Sequence, residues 1–434
     1  MIPHLVRVLG EYDNTVESQS SLPNFRREIA SAVLAASMFS DSRWKTETVA
    51  RVRDLLKDDD DLYLNACIAH RESVVFRMSG KLPDSTSALV RFVHTYVLTN
   101  SLNKESETNP RYNAQRGKLT ISYSLNLIRG GELKDAEREL QAWKPLNPDA
   151  PLTLEKLVCL NQNSAAAKIL RYQGKFKEAL TLQERILKER SPYKYSQNAH
   201  EYIISLSFVA DMYTELGRAQ EVESLIQETL NNLVKNSEQN SIAGRHLQIS
   251  LAESYLERSM FSEARTILLQ VKAFLDDNAL YDQFGDSVTF QVLVGLGRVC
   301  HRQKRWSEAV SYWNLAEEAA RKRQYSAGLV KYSMAHALRM SGDAKENKKL
   351  AEEAREMVKS RRGMFWITRF QSAWYDYIVR RWNEGVNEVS RLMHISLMRD
   401  MGSRALRLPL HSCATANTGM HNSLQQIYCG FMGD

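Results

Sequence analysis

The sequence predicts an all-α protein built as a solenoid, in which one helical hairpin stacks on the next. Three observations carry this prediction. Six turn signals recur at nearly constant spacing, and the apolar residues between them follow helical periodicity. The chain also has 434 residues, more than the roughly 250–300 at which a single compact core stops growing.

The N-terminal region 1–112 is predicted to be helical and to contain one degenerate repeat. Residues 22–57 have the pattern of two helices, and the four aspartates at 58–61 that follow them favour the start of another helix. Residues 62–100 resemble a further hairpin, which turns at Gly80. A polar loop at 101–112 is expected before the regular array begins.

The region 113–363 carries six copies of the repeat, each predicted to be a first helix, a turn and a second helix. Small residues on both helices allow a close approach, and stacked neighbours bury the apolar face that one hairpin would leave exposed. The six turn positions, which recur at nearly equal intervals, are Gly131, Gly174, Gly217, Ser259, Lys304 and Gly342. The small residues are Ala167, Ala210, Ala252, Gly297 and Ala335 on first helices and Ala136, Ala179, Ala264 and Ala309 on second helices.

The C-terminal flank predicts one more hairpin at 364–402, followed by an irregular tail at 403–434 that has no helical period. Aromatic and apolar residues of the hairpin recur roughly every four positions. They are interpreted as a cap on the last repeat, with an exposed patch for a partner as the alternative. This stripe consists of Trp366, Phe370, Trp374, Ile378 and Trp382.

The repeat resembles the tetratricopeptide repeat (TPR) superfamily in its Gly, Tyr and Ala positions, and Pro148 and Pro192 lie at or next to the closing proline of that consensus. The usual unit has about 34 residues, whereas the ~42-residue spacing here is similar to the longer repeats of kinesin light chains and fungal TPR arrays. A short Pro3-His4-Leu5 segment adds a resemblance to the C-terminal array of fungal NLR-like (NB-ARC/STAND) proteins. The resemblance implies a right-handed α-solenoid of TPR-like helix–turn–helix hairpins.

In the TPR family the first helices line a concave groove, and fixed positions on them contact the partner. Carrying that register over gives a basic–acidic–basic row along one surface. A nucleic-acid track would not place four carboxylates at its centre, so the row favours a protein or peptide with a basic middle and acidic ends. The candidate partner-binding residues are Lys168, Arg171, Asp211, Glu215, Glu253, Glu257, Arg298, Arg302, His336 and Arg339.

The sequence lacks the common motifs for catalysis, cofactors and metals. No Gly-x4-Gly-Lys-Ser/Thr phosphate loop and no Gly-x-Ser-x-Gly nucleophile elbow occurs. Gly295-Leu296-Gly297 is interpreted as close helix packing rather than a dinucleotide turn. The tail residues His411, Cys413, His421 and Cys429 lack the spacing of a structural zinc site. A protein that is not an enzyme, and that binds no cofactor or metal, is therefore expected.

Charge is distributed unevenly along the chain. Residues 1–297 carry 35 Lys/Arg against 38 Asp/Glu, or −3, and residues 298–434 carry 23 against 13, or +10. The basic third indicates either solvated helix faces or a surface for nucleic acid or an acidic partner. No apolar run approaches the ~20 residues of a membrane span, and the N-terminus has no secretory signal pattern. A cytoplasmic location without membrane insertion is expected.

Together these observations predict a non-catalytic protein–protein interaction scaffold or sensor module with its ligand in the groove. One alternative is an accessory TPR protein of a fungal secondary-metabolite pathway. The other is a helical-repeat RNA-binding protein, which the basic C-terminal third favours, although the acidic centre of the row makes nucleic acid the less favoured ligand.

Overall fold

The computed structural model is all-α, as predicted, and its described part contains helices and no strand. Sixteen α-helices lie in this part, with a 3-10 turn at Ser191–Tyr193. The described residues are 23–37, 42–57, 59, 61–97, 108–193, 199–236, 238–277, 287–320, 324–342, 344–359, 373–374 and 377–378.

The helices alternate as the repeat pattern predicts, with α3 and every later odd-numbered helix as a first helix. In the N-terminal part they are α1 (Pro23–Ala36), α2 (Ser42–Leu55), α3 (Leu62–Met78), α4 (Leu82–Val97), α5 (Pro110–Gly130) and α6 (Leu133–Ala142). They continue with α7 (Thr153–Tyr172), α8 (Phe176–Arg190), α9 (Ala199–Glu215), α10 (Gln220–Lys235) and α11 (Ile242–Glu257). The last are α12 (Phe261–Asp277), α13 (Ser287–Arg302), α14 (Trp306–Ala320), α15 (Gln324–Ser341) and α16 (Ala344–Lys359).

The start of α5 differs from the prediction of a loop at 101–112. Pro110 is the first residue of this helix, a position at which proline loses no backbone hydrogen bond. The Asn109 side chain caps the helix by accepting a hydrogen bond from the Arg111 amide at 3.0 Å. Asp61 caps α3 in the same way, with its carboxylate 2.9 Å from the Leu64 amide, so the aspartate run starts a helix as predicted.

All six predicted turn positions have left-handed backbone conformations, with φ between 60° and 97°. Glycine adopts this region without steric cost, but Ser259 and Lys304 do so as side-chain-bearing residues. At Lys304, the amide donates to the His301 carbonyl at 3.2 Å, and the Arg305 amide donates to that of Cys300 at 2.9 Å. This pair of backbone hydrogen bonds ends the first helix and reverses the chain direction before the second helix.

The small residues lie at close helix contacts, as predicted. Ala252, Ala264, Ala309 and Ala335 have no exposed surface. A Cβ atom added to Gly297 would lie 2.9 Å from the Trp313 ring, so this glycine makes room for a tryptophan. The interpretation of the Gly295–Gly297 segment as close packing is confirmed.

The described chain divides into two compact units. Among the described residues, the first unit comprises those from 23 to 162 and the second comprises those from 163 to 378. In the second unit the apolar core is continuous between hairpins, because α11 packs on both α12 and α13, and α14 packs on both α13 and α15. The boundary falls inside α7, within the predicted 113–363 array. The predicted domains 1–112, 364–402 and 403–434 remain predictions, and the tail lies outside the described residues.

Candidate functional site

The row of candidate residues lies on the first helices of the second unit, from the C-terminal half of α7 to α15. Two neighbouring pairs of these helices, α9 with α11 and α11 with α13, pack against each other. Side chains at corresponding positions of successive repeats can therefore meet, and several candidates contact one another.

Arg171 and Asp211 form a buried ion pair between α7 and α9. Nη2 of Arg171 lies 2.8 Å from Oδ2 of Asp211, and the two side chains are 6% and 8% exposed. Ser250 on α11 donates a hydrogen bond to the other carboxylate oxygen at 2.9 Å. The contacts of Asp211 with Arg171 and Ser250 thereby link three successive first helices. The two charged groups face each other rather than solvent.

Arg298 on α13 joins both acidic candidates of α11. Its Nη1 lies 2.5 Å from Oε2 of Glu253, and its Nη2 lies 3.2 Å from Oε1 of Glu257. Glu253 and Arg298 are almost fully buried, whereas the Glu257 side chain is 26% exposed. Burial is the largest influence on Glu257 and raises its pKa above the usual value, against the opposing effect of Arg298.

His336 stacks on His301, a first-helix residue that is not among the ten candidates. Nε2 of His301 and Nδ1 of His336 are 2.8 Å apart, so one ring donates a hydrogen bond to the other. Both imidazoles are buried. The indole nitrogen of Trp313 lies 3.4 Å from Nδ1 of His301, so aromatic rings enclose the pair.

Residues of the C-terminal flank cover this end of the row. Trp374 lies with its ring 5.2 Å from that of His301 and 5.6 Å from the guanidinium of Arg298. Tyr377 lies 4.0 Å beneath the guanidinium of Arg302. Trp374 and Ile378 are buried in the core, as the cap interpretation requires. The other stripe residues, Trp366, Phe370 and Trp382, lie outside the described residues.

The other end of the row contains a small cleft between α7, α8 and α9, with a volume of about 10 Å³, which is room for about one water molecule. Phe208 lies in it, half-buried, with Nζ of Lys168 5.0 Å and the guanidinium of Arg171 5.4 Å from its ring centroid. Met212 and Gln183 also line the cleft. The Nε2 atom of Gln183 is buried without a hydrogen-bond partner in the described structure. Such a donor is stabilised by any ligand that brings an acceptor.

The remaining candidates are more accessible. Lys168, Glu215 and Glu257 are partly exposed, and Arg302 and Arg339 are exposed. The structure therefore separates the ten candidates into a group that is buried in contacts within the protein and a group whose charges reach solvent. The buried group consists of Arg171, Asp211, Glu253, Arg298 and His336.

Sequence reasoning missed Phe208 and the pairing of the buried candidates. Phe208 lies between two groove positions of α9, where the family register does not look for contacts. The pairing did have a signal, because Asp211 follows Arg171 by nearly one repeat length, and Arg298 follows Glu253 in the same way. Opposite charges at this separation lie on adjacent first helices and come within reach of each other.

Neither a metal cluster nor a membrane span occurs within the described residues. No group of three or more His, Cys, Asp and Glu side chains converges there as a metal site would require. None of the helices there combines the length and apolar character needed to cross a membrane.

No family model matches the sequence, and neither does any curated protein. Solved structures of helical-repeat proteins are similar to it. A kinesin light chain protein of Podosopora anserina with nearly identical TPR-like repeats shares 21% identity over 47% of this chain and 97% of its own, with a TM-score of 0.36. BtubC (BKLC) from P. vanneervenii shares 13% identity over 57% of this chain and 90% of its own, with a TM-score of 0.39. A Rap protein complexed with competence and sporulation factor shares 12% over 77% and 96%, with a TM-score of 0.45.

The fold of this chain is TPR-like, which its own geometry shows through left-handed turns at near-constant spacing and small residues at the helix contacts. The more specific resemblance to NLR-like arrays remains a prediction.

Proposed function

We propose that the chain is a non-catalytic protein-interaction scaffold of the cytoplasm that binds a peptide or helix of a partner protein on its first helices. The observation that carries this proposal is the cleft around Phe208. An apolar floor with a charged rim and an unused buried donor is the usual chemistry of a binding site.

In this proposal each cleft residue has a distinct role. The Phe208 ring provides the apolar contact, and the partly exposed Lys168 beside it favours a partner that places a carboxylate or a carbonyl next to an apolar side chain. Gln183 offers its unused amide hydrogens to a backbone carbonyl of the ligand. Arg171 is held by Asp211, so its orientation is fixed before binding, which lowers the entropic cost of ligand capture.

The accessible members of the candidate row extend the surface on both sides of this cleft. Glu215 and Glu257 would meet basic groups of the partner, and Arg302 and Arg339 would meet acidic ones. Such exposed pairs determine the register and the association rate more than the affinity. The buried ion pairs keep the first helices in register and position these exposed groups.

The proposal can be tested with a peptide selected from a displayed random library on the wild-type chain. We expect Phe208→Ala and Lys168→Glu each to weaken its binding by about tenfold, which corresponds to about 1.4 kcal/mol. Lys177→Glu on α8 is the matched control, because Lys177 is an exposed lysine of a second helix. Circular dichroism and thermal melts check that each variant is folded.

Equal binding by all the variants would contradict the proposed site. If a selected peptide binds more weakly only to the Lys177→Glu control, the binding site lies on the second helices instead. If the chain instead captures single-stranded RNA with a steep salt dependence, the alternative of a helical-repeat RNA-binding protein replaces the scaffold.

A further inference from the structure

In the first unit, the two first helices α3 and α5 are strongly basic. Their sequences contain six Lys and Arg residues and a single carboxylate, that of Glu72. Glu72 is buried and forms ion pairs with Arg53 on α2 and Arg91 on α4. The contact between α3 and α5 is therefore strongly basic, and the one acid of these helices is occupied elsewhere.

The cations follow one line along this contact, which we call the basic seam and define by Arg77, Arg111, Lys118 and Arg129. Arg111, Lys118 and Arg129 are spaced along α5 by two turns and then three, which puts them on one face of the helix. All three are exposed. From Arg111 to Arg129 the helix rises about 27 Å, which an extended peptide of about eight residues spans.

Arg77 lies in the wall of the seam and is only 8% exposed. Its Nη1 donates to Oγ of Ser122 at 2.8 Å, to Oδ1 of Asn126 at 3.0 Å and to the Ser122 carbonyl at 3.1 Å. All of these acceptors are neutral, and within the described structure no carboxylate pairs with Arg77. The buried Arg171 and Arg298 of the second unit each have a carboxylate partner, which Arg77 lacks within the described residues.

A buried cation without a counter-ion is costly, and the surrounding charges increase that cost. Burial, together with the neighbouring Arg129, lowers the pKa of Arg77 to about 9. The pKa of the adjacent His70 lies well below its usual value. Burial is the largest cause, followed by the positive charges of Arg71, Lys118 and Arg77. A bound anion would relieve both effects, because a carboxylate and a guanidinium form short, paired hydrogen bonds.

We propose that the basic seam binds an acidic peptide segment of a partner protein, with one carboxylate on Arg77 and others on Lys118 and Arg129. The proposal rests on the scaffold function and adds a second surface with a ligand of defined charge. A peptide is favoured over single-stranded nucleic acid, since stacking rings hold successive bases and the contacts of Arg77 are those of a guanidinium with oxygen acceptors. Tyr63, at one end, already carries the Arg111 guanidinium 4.0 Å above its ring.

The test uses the full-length chain and three labelled probes in fluorescence anisotropy. They are a peptide of alternating Glu and Ser, the same peptide with Gln in place of Glu, and oligouridine RNA. We expect saturable binding of the Glu–Ser peptide, weakened as salt rises, and at least tenfold weaker binding of the Gln–Ser peptide. Lys118→Glu and Arg129→Glu should each reduce Glu–Ser binding about tenfold or more.

Arg116→Glu is the matched control, because Arg116 is exposed on α5 but lies about 200° around the helix from Lys118. It should change Glu–Ser binding by less than about twofold. Arg77→Lys keeps the charge without the planar fork, so it should weaken binding while the melting temperature of the free protein shows that the variant folds.

Three outcomes would overturn the proposal. They are no saturable binding of the Glu–Ser peptide, an equal loss in Arg116→Glu and Lys118→Glu, or seam-dependent binding of RNA in preference to the peptide. The Phe208 cleft belongs to the other unit and is tested with its own selected peptide. If that peptide binds and the Glu–Ser peptide does not, only the seam proposal fails.

Discussion

The buried charge cluster of Glu253, Glu257 and Arg298 provides the sharpest prediction about stability. Arg298→Met removes the one cation and leaves two carboxylates, of which Glu253 is almost fully buried. Breaking a buried pair in this way typically costs about 3–5 kcal/mol. Glu253→Gln leaves Arg298 with Glu257 at 3.2 Å and keeps an acceptor, so its cost should be about 1–3 kcal/mol.

The order of the two costs follows from the geometry, since Arg298 has two partners and Glu253 has one. The double substitution Glu253→Gln with Arg298→Met should cost less than the sum of the two, because it leaves no buried charge at position 253. Arg298→Met also removes the cation that opposes the burial-raised pKa of Glu257, so the folded form of that variant binds a proton at Glu257 more tightly than the unfolded form does. Its stability deficit should therefore grow as pH rises and shrink as pH falls from about 7 to about 5.

Hydrogen exchange of peptides from α11 and α13 measures the local free energy of opening, which is the appropriate quantity for a repeat array. A loss of about 3 kcal/mol corresponds to exchange faster by roughly two orders of magnitude. The exposed Arg218–Glu221 pair, with both side chains 49% exposed, is the control, and Arg218→Met should leave the local exchange rates around it close to those of the wild type. If Glu253→Gln costs more than Arg298→Met, the reasoning is refuted.

Three further predictions follow from the turns, the helix contacts and the first unit. Gly217→Ala should lower the free energy of unfolding by about 1 kcal/mol, because the φ of Gly217 is +71° and the new Cβ meets only open space. Lys304→Gly should raise it by a similar or smaller amount. Urea unfolding in which both substitutions shift stability in the same direction would contradict this. Ala179→Trp and Ala309→Trp should each cost about 1–3 kcal/mol or more, because both alanines are at most 1% exposed; melts equal to the wild type would show that the register is wrong. Because the folded-state pKa of His70 is depressed, the unfolded chain takes up a proton on acidification that the folded chain does not. The free energy of unfolding should therefore fall as pH drops below about 6.5, by up to about 1.4 kcal/mol per pH unit. Thermal melts of His70→Gln at acid pH should lack this part of the pH dependence.

The repeat could be predicted from the sequence because each of its signals is local. A turn needs a residue that tolerates positive φ, and a close helix contact needs a small side chain at a fixed distance from that turn. Ser259 and Lys304 show that spacing can identify a turn even where the residue type argues against it. The start of α5 could not be predicted correctly, since the capping residue Asn109 lies in a polar stretch that has the composition of a loop.

The candidate site was harder to predict because the charge of a residue does not by itself identify its partner, and only the one-repeat spacing of opposite charges indicates the pairing. The sequence predicts that the row from Arg171 to Arg298 is a surface for another protein, whereas the structure joins its buried members to one another. Whether a charged side chain meets solvent or a neighbouring helix depends on distances across repeats. The basic seam was missed for the opposite reason, because the segment 1–297 is acidic in sum and its net charge conceals two basic helices.

The proposed function requires partners to bind on the first helices. The most direct measurement is photo-crosslinking of a selected peptide that carries a benzophenone group, followed by mass-spectrometric mapping of the attachment sites. We expect attachment within α7 and α9, concentrated near Phe208 and suppressed by the unlabelled peptide. Attachment chiefly to the second helices α8, α10 and α12, or evenly over the chain, would contradict it.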